Sequence, residues 1–582
     1  MFKWQGHLEK IIDRMSRLTK TIIIVLGLLN HSAGYSQRYD FNWVFGYAGG
    51  QGDTRWGTSF VDFNSGNPIV SYQDKGRMYI YEANASISDK EGNLLYYTNG
   101  YDVDDANFKK VAGATNLGIR YWDGLVSDQG VMFLPIHDND SLYYLLYVNK
   151  ILSSPNFYIS SMKYLVINKY KDKVINSGTI LQDTLNEGCL TACKHANGKD
   201  FWILLNEANT NIFYKYIVTD SGIFFVDKQV IGPKVIDGVG QAVFSPDGKY
   251  FAIYESISDR DGAYFYVYTF DRCSGALTVI QNKQIDKMGF GGISFSQDSK
   301  LFYHSSGLSL SQTLIEQSNS LDRFEEIEII SEQTPWGSQY KLHQLAPDGR
   351  IYISNAYSNF VMHRINKPNE KGLACLAKSN SFALKTLGGY GIPNMPNYRL
   401  GPIDGSSCDT LGIDNIPWAW WRHDQDTTDY LNFEFTDLSA YEVTEWEWRF
   451  GDGMTSNSQS PIHRYSKNGI YEVCLIAKNK NGADTLCKIL NVGTTSTIDD
   501  KDQIKIAIFP NPSKEYFIVN ILDYNPEKMH LELFDLNEKL LLTQRLFEGS
   551  NGIELGAVSS GIYFVKIIEQ GRVVKSEKVI KM

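Results

Sequence analysis

The chain has 582 residues, too many for one hydrophobic core, and its size alone divides it into roughly two to four domains. Apolar residues make up 43% and charged residues 21%, with no low-complexity tract, which excludes a disordered or collagen-like chain. A net charge of −10 without a basic block excludes a protein that grips a nucleic-acid backbone through clustered Lys and Arg, so no nucleic-acid partner is expected. The 36 Tyr, 30 Phe and 11 Trp, beside 49 Gly, suit half-buried strands joined by tight turns and predict an all-β protein.

At the N-terminus Arg14, Arg17 and Lys20 precede the apolar run from Thr21 to Leu29, and Ala33, Gly34 and Ser36 follow it. That is the order of a secretory signal peptide. The run is shorter than the roughly 20 residues that cross a bilayer, so residues 1–36 are expected to be cleaved, leaving no transmembrane span and Gln37 as the first mature residue. Met15 is an alternative start. No cysteine occurs before Cys189, so none stands near the cut to take a lipid. Without residues 1–36 the chain carries 51 Lys and Arg against 64 Asp and Glu, a net −13. Residues 505–582 hold ten of each, so the negative charge belongs to the region before them. Seven cysteines in an exported chain permit disulfides, but an odd, sparse set is no disulfide scaffold.

From about Asp40 to Leu400 one pattern recurs: an apolar strand, a turn carrying Asp or Asn with Gly, and an aromatic-rich strand. The clearest copies are 87–100, 193–206, 243–255, 294–305 and 344–355, with turn residues Gly198, Gly248, Ser299 and Gly349 spaced almost evenly. Gly accepts positive φ and Asp accepts turn amides, as a link between neighbouring antiparallel strands requires. Repeats of this length, with room for four strands each, indicate propeller blades. A four-stranded sheet cannot bury both faces alone, whereas a ring of them can. Six repeats are legible, and 42–49 with 58–63 supply a seventh if they close against 372–386. The expectation is a six- or seven-bladed β-propeller over 37–404, with an open solenoid as the alternative.

Residues 401–417 have the Gly, Pro, Asp and Ser density of a linker. Beyond them come Trp448, Arg449, Phe450, Gly451, Asp452 and Gly453, then Ser460-Pro461, His463, Tyr465, Gly469 and Tyr471. This set resembles the PKD family, which implies an immunoglobulin-like β-sandwich over 405–494. Gly451-Asp452-Gly453 reads as a tight turn, Trp448 as a core plug, and the strands around Asn481-Gly482 as a hairpin on which Cys474 and Cys487 face each other if the register allows a disulfide. After a linker at 495–504, residues 505–582 carry Pro510, Asn511 and Pro512, then LELFDLNEKLL, then Gly561, Ile562 and Tyr563, and a last strand ending in Lys578-Val579-Ile580-Lys581. This set resembles the type A C-terminal sorting domain of the type IX secretion system of Bacteroidota. The resemblance implies a small β-sandwich, handling by the type IX translocon and sorting machinery, and release or attachment at the outer-membrane surface. Residues 391–402 (GIPNMPNYRLGP) are similar to a stretch of large propellers of the same secreted architecture, a likeness that supplies no activity.

Chemistry is sparse. No HExxH, GxSxG, phosphate loop, EF-hand loop or paired CxxC occurs, so no catalytic residue, metal site or cofactor is expected. Cys189, Cys193 and His195 look ligand-like, but positions four apart on an extended strand lie about 13 Å from each other, and packing between blades explains the thiols. Asp247, Asp298 and Asp348 recur in blade turns, where capping of backbone amides competes with a calcium reading. His343 and Gln344, and His195 in the equivalent place of an earlier repeat, fall on inner strands and are candidates to converge on an axial ligand. Tyr121, Trp122 and Asp123, with the acidic stretch 101–108, are loop candidates for a sugar-binding surface. The leading reading is an exported, non-catalytic surface or secreted binding and adhesion protein whose propeller recognises a glycan or a surface protein. A propeller-borne polysaccharide hydrolase or lyase is the rival, and a structural part of an envelope or motility assembly the third.

Overall fold

The computed structural model describes residues 37–581 except 50–54, 77, 119–123, 138, 154–155, 237–238, 257–261, 286–289, 308, 316–328, 331–338, 494–504, 510–512, 514–515, 523–528, 537–538, 547–548, 557 and 570–571. The signal sequence therefore lies outside the described residues, as do Tyr121, Trp122, Asp123, Pro510, Asn511 and Pro512. Every regular element described is a strand apart from one 3₁₀ turn at Gly372–Cys375.

Seven blades form the propeller. Blade 1 has three strands, Asn42–Tyr47, Gly57–Asp62 and Ile69–Gln73, and blades 2 to 7 are four-stranded meanders whose inner strands are Ala85–Ser88, Val131–Pro135, Thr191–Lys194, Val239–Phe244, Gly291–Phe295 and Tyr340–Leu345. Blades 2 and 3 are joined at their outer edges by one parallel pair, Lys173 with Ala112. The Asn-Gly and Asp-Gly turns work as their chemistry dictates: Gly198, Gly248 and Gly349 have φ of 76°, 71° and 76°. Asp247 accepts the Ser245 hydroxyl (2.6 Å) and the Lys249 amide (3.0 Å), and Asp298 does the same for Ser296 and Lys300. The stretch 101–108, read above as a loop, is instead the third strand of blade 2 (Asp102–Asp105) and its turn, where Asp105 accepts the amides of Asn107 and Lys109.

The ring closes, so the propeller and not the open solenoid is formed. Tyr352 of blade 7 packs edge-on against Trp43 and Phe63 of blade 1, with ring centroids 5.5 and 6.0 Å apart. Ser59 accepts the amides of Lys385 and Thr386, the last strand of blade 7. Trp43 and Tyr352 are fully buried, and each contributes roughly 2–3 kcal/mol of apolar burial to the seam. The first strand of blade 1 runs antiparallel to the inner strand of blade 2: Asn42 bonds Ser88, Asn84 reaches the Val44 carbonyl, and the Ile80 amide bonds the Gly46 carbonyl. It thus has the sense of a second strand, and residues 390–399 take the inner place. The Gly391 and Asn394 amides bond the Tyr81 and Asn84 carbonyls of blade 2, and Arg399 forms a bidentate pair with Asp40.

The PKD sandwich combines a three-stranded and a four-stranded sheet. Trp448 is fully buried and donates to the Gln459 carbonyl, the Tyr465 hydroxyl donates to the Phe450 carbonyl (3.0 Å), and His463 stacks on Phe450 at 4.0 Å. Gly451 and Gly453 have φ of 82° and 94°, which the tight turn requires. Cys474 lies opposite Cys487 in register, and a disulfide joins them. A second disulfide, Cys273 to Cys408, ties the entry linker to blade 5, while Cys189, Cys193 and Cys375 remain buried thiols.

The run Trp418-Ala419-Trp420-Trp421 shows how sandwich and propeller join. Alternation along an extended segment sends Trp418 and Trp420 into the propeller core beside Phe41, and Trp421 into the sandwich core. The Lys488 ammonium sits 4.0 Å from the Trp420 ring and Arg38 4.6 Å from it. Arg350, held by Asp348 at 2.7 Å, also pairs with Asp424 of the sandwich, and Lys367 pairs with Glu434 at 2.7 Å. The sandwich is therefore packed on the propeller face that carries the Asp-Gly turns. The C-terminal domain is a separate sandwich with its own core of Ile508, Phe517, Leu531, Leu533, Val565 and Ile567.

Candidate functional site

The propeller axis is filled by the chain itself. Asn394, 4% exposed, donates to the carbonyls of Val131 (3.0 Å) and Leu190 (2.8 Å) and accepts from Gln129. Gln129 exchanges two hydrogen bonds with the Ala242 backbone, and Gln241 accepts the Ile293 and His343 amides and donates to the His343 carbonyl. Side-chain amides thus stitch the inner strands of blades 3 to 7. What is left is a cavity of about 90 Å³ touching His343, Gln344 and Asn394.

The axial candidates belong to this packing. His343 is 1% exposed, with Nδ1 3.1 Å from the Ser294 hydroxyl and Nε2 2.8 Å from that of Ser305. Burial drives its pKa far below the usual histidine range, so the ring is neutral. Gln344 donates to the Leu345 and Met395 carbonyls. His195 does not join them: its Nε2 lies 3.1 Å from the Cys273 carbonyl and its Nδ1 accepts the Asn197 amide, in the turn beside the linker. Cys193 is enclosed between blades 4 and 5, where burial pushes its thiol up to about 12, and Cys189 donates to Glu255. Among the described residues no cluster of three or more His, Cys, Asp or Glu could hold a metal.

The opposite face, away from the PKD sandwich, holds a larger cavity of about 590 Å³ where blades 7, 1, 2 and 3 meet. Its aromatic lining is Tyr47, Trp56, Tyr79 and Tyr81, and Glu82, Leu125 and Leu387 also line it. Local structure explains the convergence. Tyr47 ends the first strand of blade 1 and Trp56 precedes the second, so one hairpin presents both rings, 5.7 Å apart. Tyr79, Tyr81 and Glu82 lie on the entry to the inner strand of blade 2, where the chain bends at Tyr81 and Glu82, and all three line the cavity. Tyr79 lies 5.9 Å from Tyr47, and Tyr81 stacks on Tyr390 at 4.3 Å. The Tyr47 and Ser358 hydroxyls bond each other and tie this wall to blade 7.

Behind the wall is a layer of buried charge. Lys341 and Asp128, each 1% exposed, pair at 2.7 Å, and Lys150 pairs with Glu187 at 2.6 Å. Lys341 also sits 3.5 Å from the Tyr390 ring centroid. Burial first, then the charge of Asp128, raises the Glu82 carboxyl to about 7, with Lys341 opposing. Glu82 is the only charged side chain among the described residues that line the cavity.

In the C-terminal sandwich Gly561, Ile562 and Tyr563 open one strand paired with the last, and Tyr563 is buried with its hydroxyl on the Ser559 carbonyl at 2.6 Å. The terminal Lys581 ammonium bonds the Leu555 and Val558 carbonyls. No described helix is long and apolar enough to cross a membrane.

Comparison with known proteins places names on two of these domains. The PKD domain model matches residues 417–493, and the secretion system C-terminal sorting domain model matches residues 507–582. Collagenase ColA of Clostridium perfringens is 41% identical over 54 residues, 9% of this chain, and the chain spans 5% of that collagenase. The PKD1 domain of Vibrio anguillarum Epp is 23% identical, covering 14% of this chain and 95% of that domain, with a TM-score of 0.13. The Dos1 propeller is 12% identical over 53% of this chain and 74% of its own, with a TM-score of 0.32. The chain is a type IX secretion cargo, secreted or attached at the outer-membrane surface, that carries a propeller and a PKD domain.

Proposed function

We propose that this is a non-catalytic glycan-binding protein of the cell exterior, with the propeller as its recognition module and the PKD sandwich as a rigid mount. The observation that carries the reading is the cavity lined by Tyr47, Trp56, Tyr79, Tyr81 and Glu82. Its 590 Å³ lies within the roughly 300–1,000 Å³ of small-ligand sites and holds about two or three pyranose rings. Aromatic faces pack against the C–H faces of sugars, and a carboxylate accepts hydroxyl protons. The PKD sandwich occupies the opposite face and so does not cover the cavity, while the C-terminal domain reaches Arg55, next to Trp56, through Tyr516. Binding of the full chain and of Trp56→Ala to a glycan array tests the reading. Retention of defined glycans by the native chain and their loss in the variant support it; silence of the native chain overturns it.

A second reading, a polysaccharide hydrolase or lyase, draws on one observation, the Glu82 carboxyl held near 7 beside Asp128. That is the range in which a general acid operates. Release of new chain ends from an array-positive polymer, abolished in Glu82→Gln, supports this second reading; an intact polymer removes it.

A further inference from the structure

We infer that the aromatic cavity selects glycans carrying a free, protonated amine, seated as an ammonium between the tyrosine faces and the Glu82 carboxylate. This rests on the glycan-binding reading and names the class of sugar. The charge count around the cavity points that way. Three carboxylates, Glu82, Asp128 and Glu187, meet two ammoniums, Lys341 and Lys150, and both ammoniums are committed, at 2.7 Å to Asp128 and 2.6 Å to Glu187. Glu82 is left as the carboxylate without an ion-pair partner among the described residues, and it is the one that lines the cavity.

The wall supplies the second half of a cation site. Electron-rich faces of Tyr and Trp attract an ammonium, more so when it is drawn out of water. The protein already uses this arrangement one layer deeper, where Lys341 sits 3.5 Å from the Tyr390 ring and 2.7 Å from Asp128, and Tyr390 stacks on Tyr81. An amine-bearing sugar entering the cavity would reproduce that pattern on Tyr81 and Glu82. A small quaternary ammonium would satisfy the same charge but leave most of the 590 Å³ unfilled. A uronic or sulfated sugar would place a second negative charge against Glu82, Asp128 and Glu187, which is destabilising at short range.

The test is calorimetric titration of the full chain with three β-1,4-linked tetrasaccharides: fully deacetylated glucosamine, N-acetylglucosamine and a uronic acid. The deacetylated sugar is expected to bind at least about tenfold more tightly than the acetylated one, and the uronic acid not at all. Glu82→Gln should erase that preference while keeping the weaker affinity for the neutral sugar, and Tyr81→Ala should weaken both. Equal or tighter binding of the acetylated sugar, or a preference unchanged in Glu82→Gln, overturns the inference while leaving glycan binding standing. If neither amine-bearing nor neutral sugar binds and the array is also silent, the glycan-binding reading itself fails.

Discussion

Glu82 is the group at which site and stability collide, and replacing it with Gln should stabilise the propeller in a pH-dependent way. Folding raises this carboxyl from its ordinary 4.5 to about 7, chiefly by burial and then by Asp128 and Glu187, with Lys341 and Lys150 opposing. A raised acid pKa means the fold favours the neutral form, so the side chain is harmless below about pH 4.5 and increasingly destabilising as pH rises through 7. Raising the carboxyl to about 7 corresponds to at most about 3 kcal/mol at pH 8, and access of water through the cavity mouth reduces this to about 2 kcal/mol. Gln keeps the shape of the protonated acid and removes the charge. Urea unfolding of the propeller transition should therefore show Glu82→Gln more stable than the native chain by about 2 kcal/mol at pH 8 and equal to it at pH 4. An equal difference at both pH values, or none at either, would refute the assignment of an unpaired, half-buried carboxylate.

Three further outcomes follow from the same geometry. Asn394→Ala removes donors to the Val131 and Leu190 carbonyls on the axis and should cost about 3 kcal/mol in the propeller transition, because each orphaned buried group costs roughly 1–3 kcal/mol. Cys408→Ser opens a disulfide that spans 135 residues, and should lower propeller stability by up to about 5 kcal/mol and make the 401–417 linker, which holds no Lys or Arg but does hold Leu411, cleavable by chymotrypsin under native conditions. Neutral histidines set the acid limb: burial takes His363 to about 3, and partial burial with Lys488, Arg422 and Arg350 nearby takes His423 to about 4, so the unfolded chain takes up protons first as pH falls. Stability should accordingly decline from about pH 6.5 downward, and His423→Phe, measured by thermal unfolding at pH 7 and pH 4.5, should flatten part of that decline.

The architecture was legible because blade turns are a backbone requirement. Gly198, Gly248 and Gly349 sit at positive φ, and the residues around them must alternate to bury two faces, so repeat length and strand order survive in the sequence. The blade count stayed open between six and seven for a physical reason: the first blade has three strands, and its inner place is taken by residues 390–399, which form no regular ladder and give no strand signal. The same segment explains why the axial histidine was misleading. Nothing local to His343 indicates that Asn394 will fill the space in front of it.

The aromatic cavity was the feature sequence reasoning passed over. Tyr47, Trp56 and Tyr81 belong to three different strand ends, and aromatic residues are so frequent in this chain that no single one stands out. The available signal was Tyr79-Ile80-Tyr81-Glu82, two aromatic residues and a carboxylate within four positions just before an inner strand. Acidic positions in 101–108 drew attention instead, and those carboxylates turn out to be engaged in the turn and edge of blade 2.

The most direct measurement is a crystal structure of the full chain with the tightest glycan from the array. The account predicts sugar rings against Tyr47, Trp56, Tyr79 and Tyr81 with a polar group on Glu82. A glycan held on the PKD sandwich or on the outer strands of the blades, with this cavity empty, would contradict it.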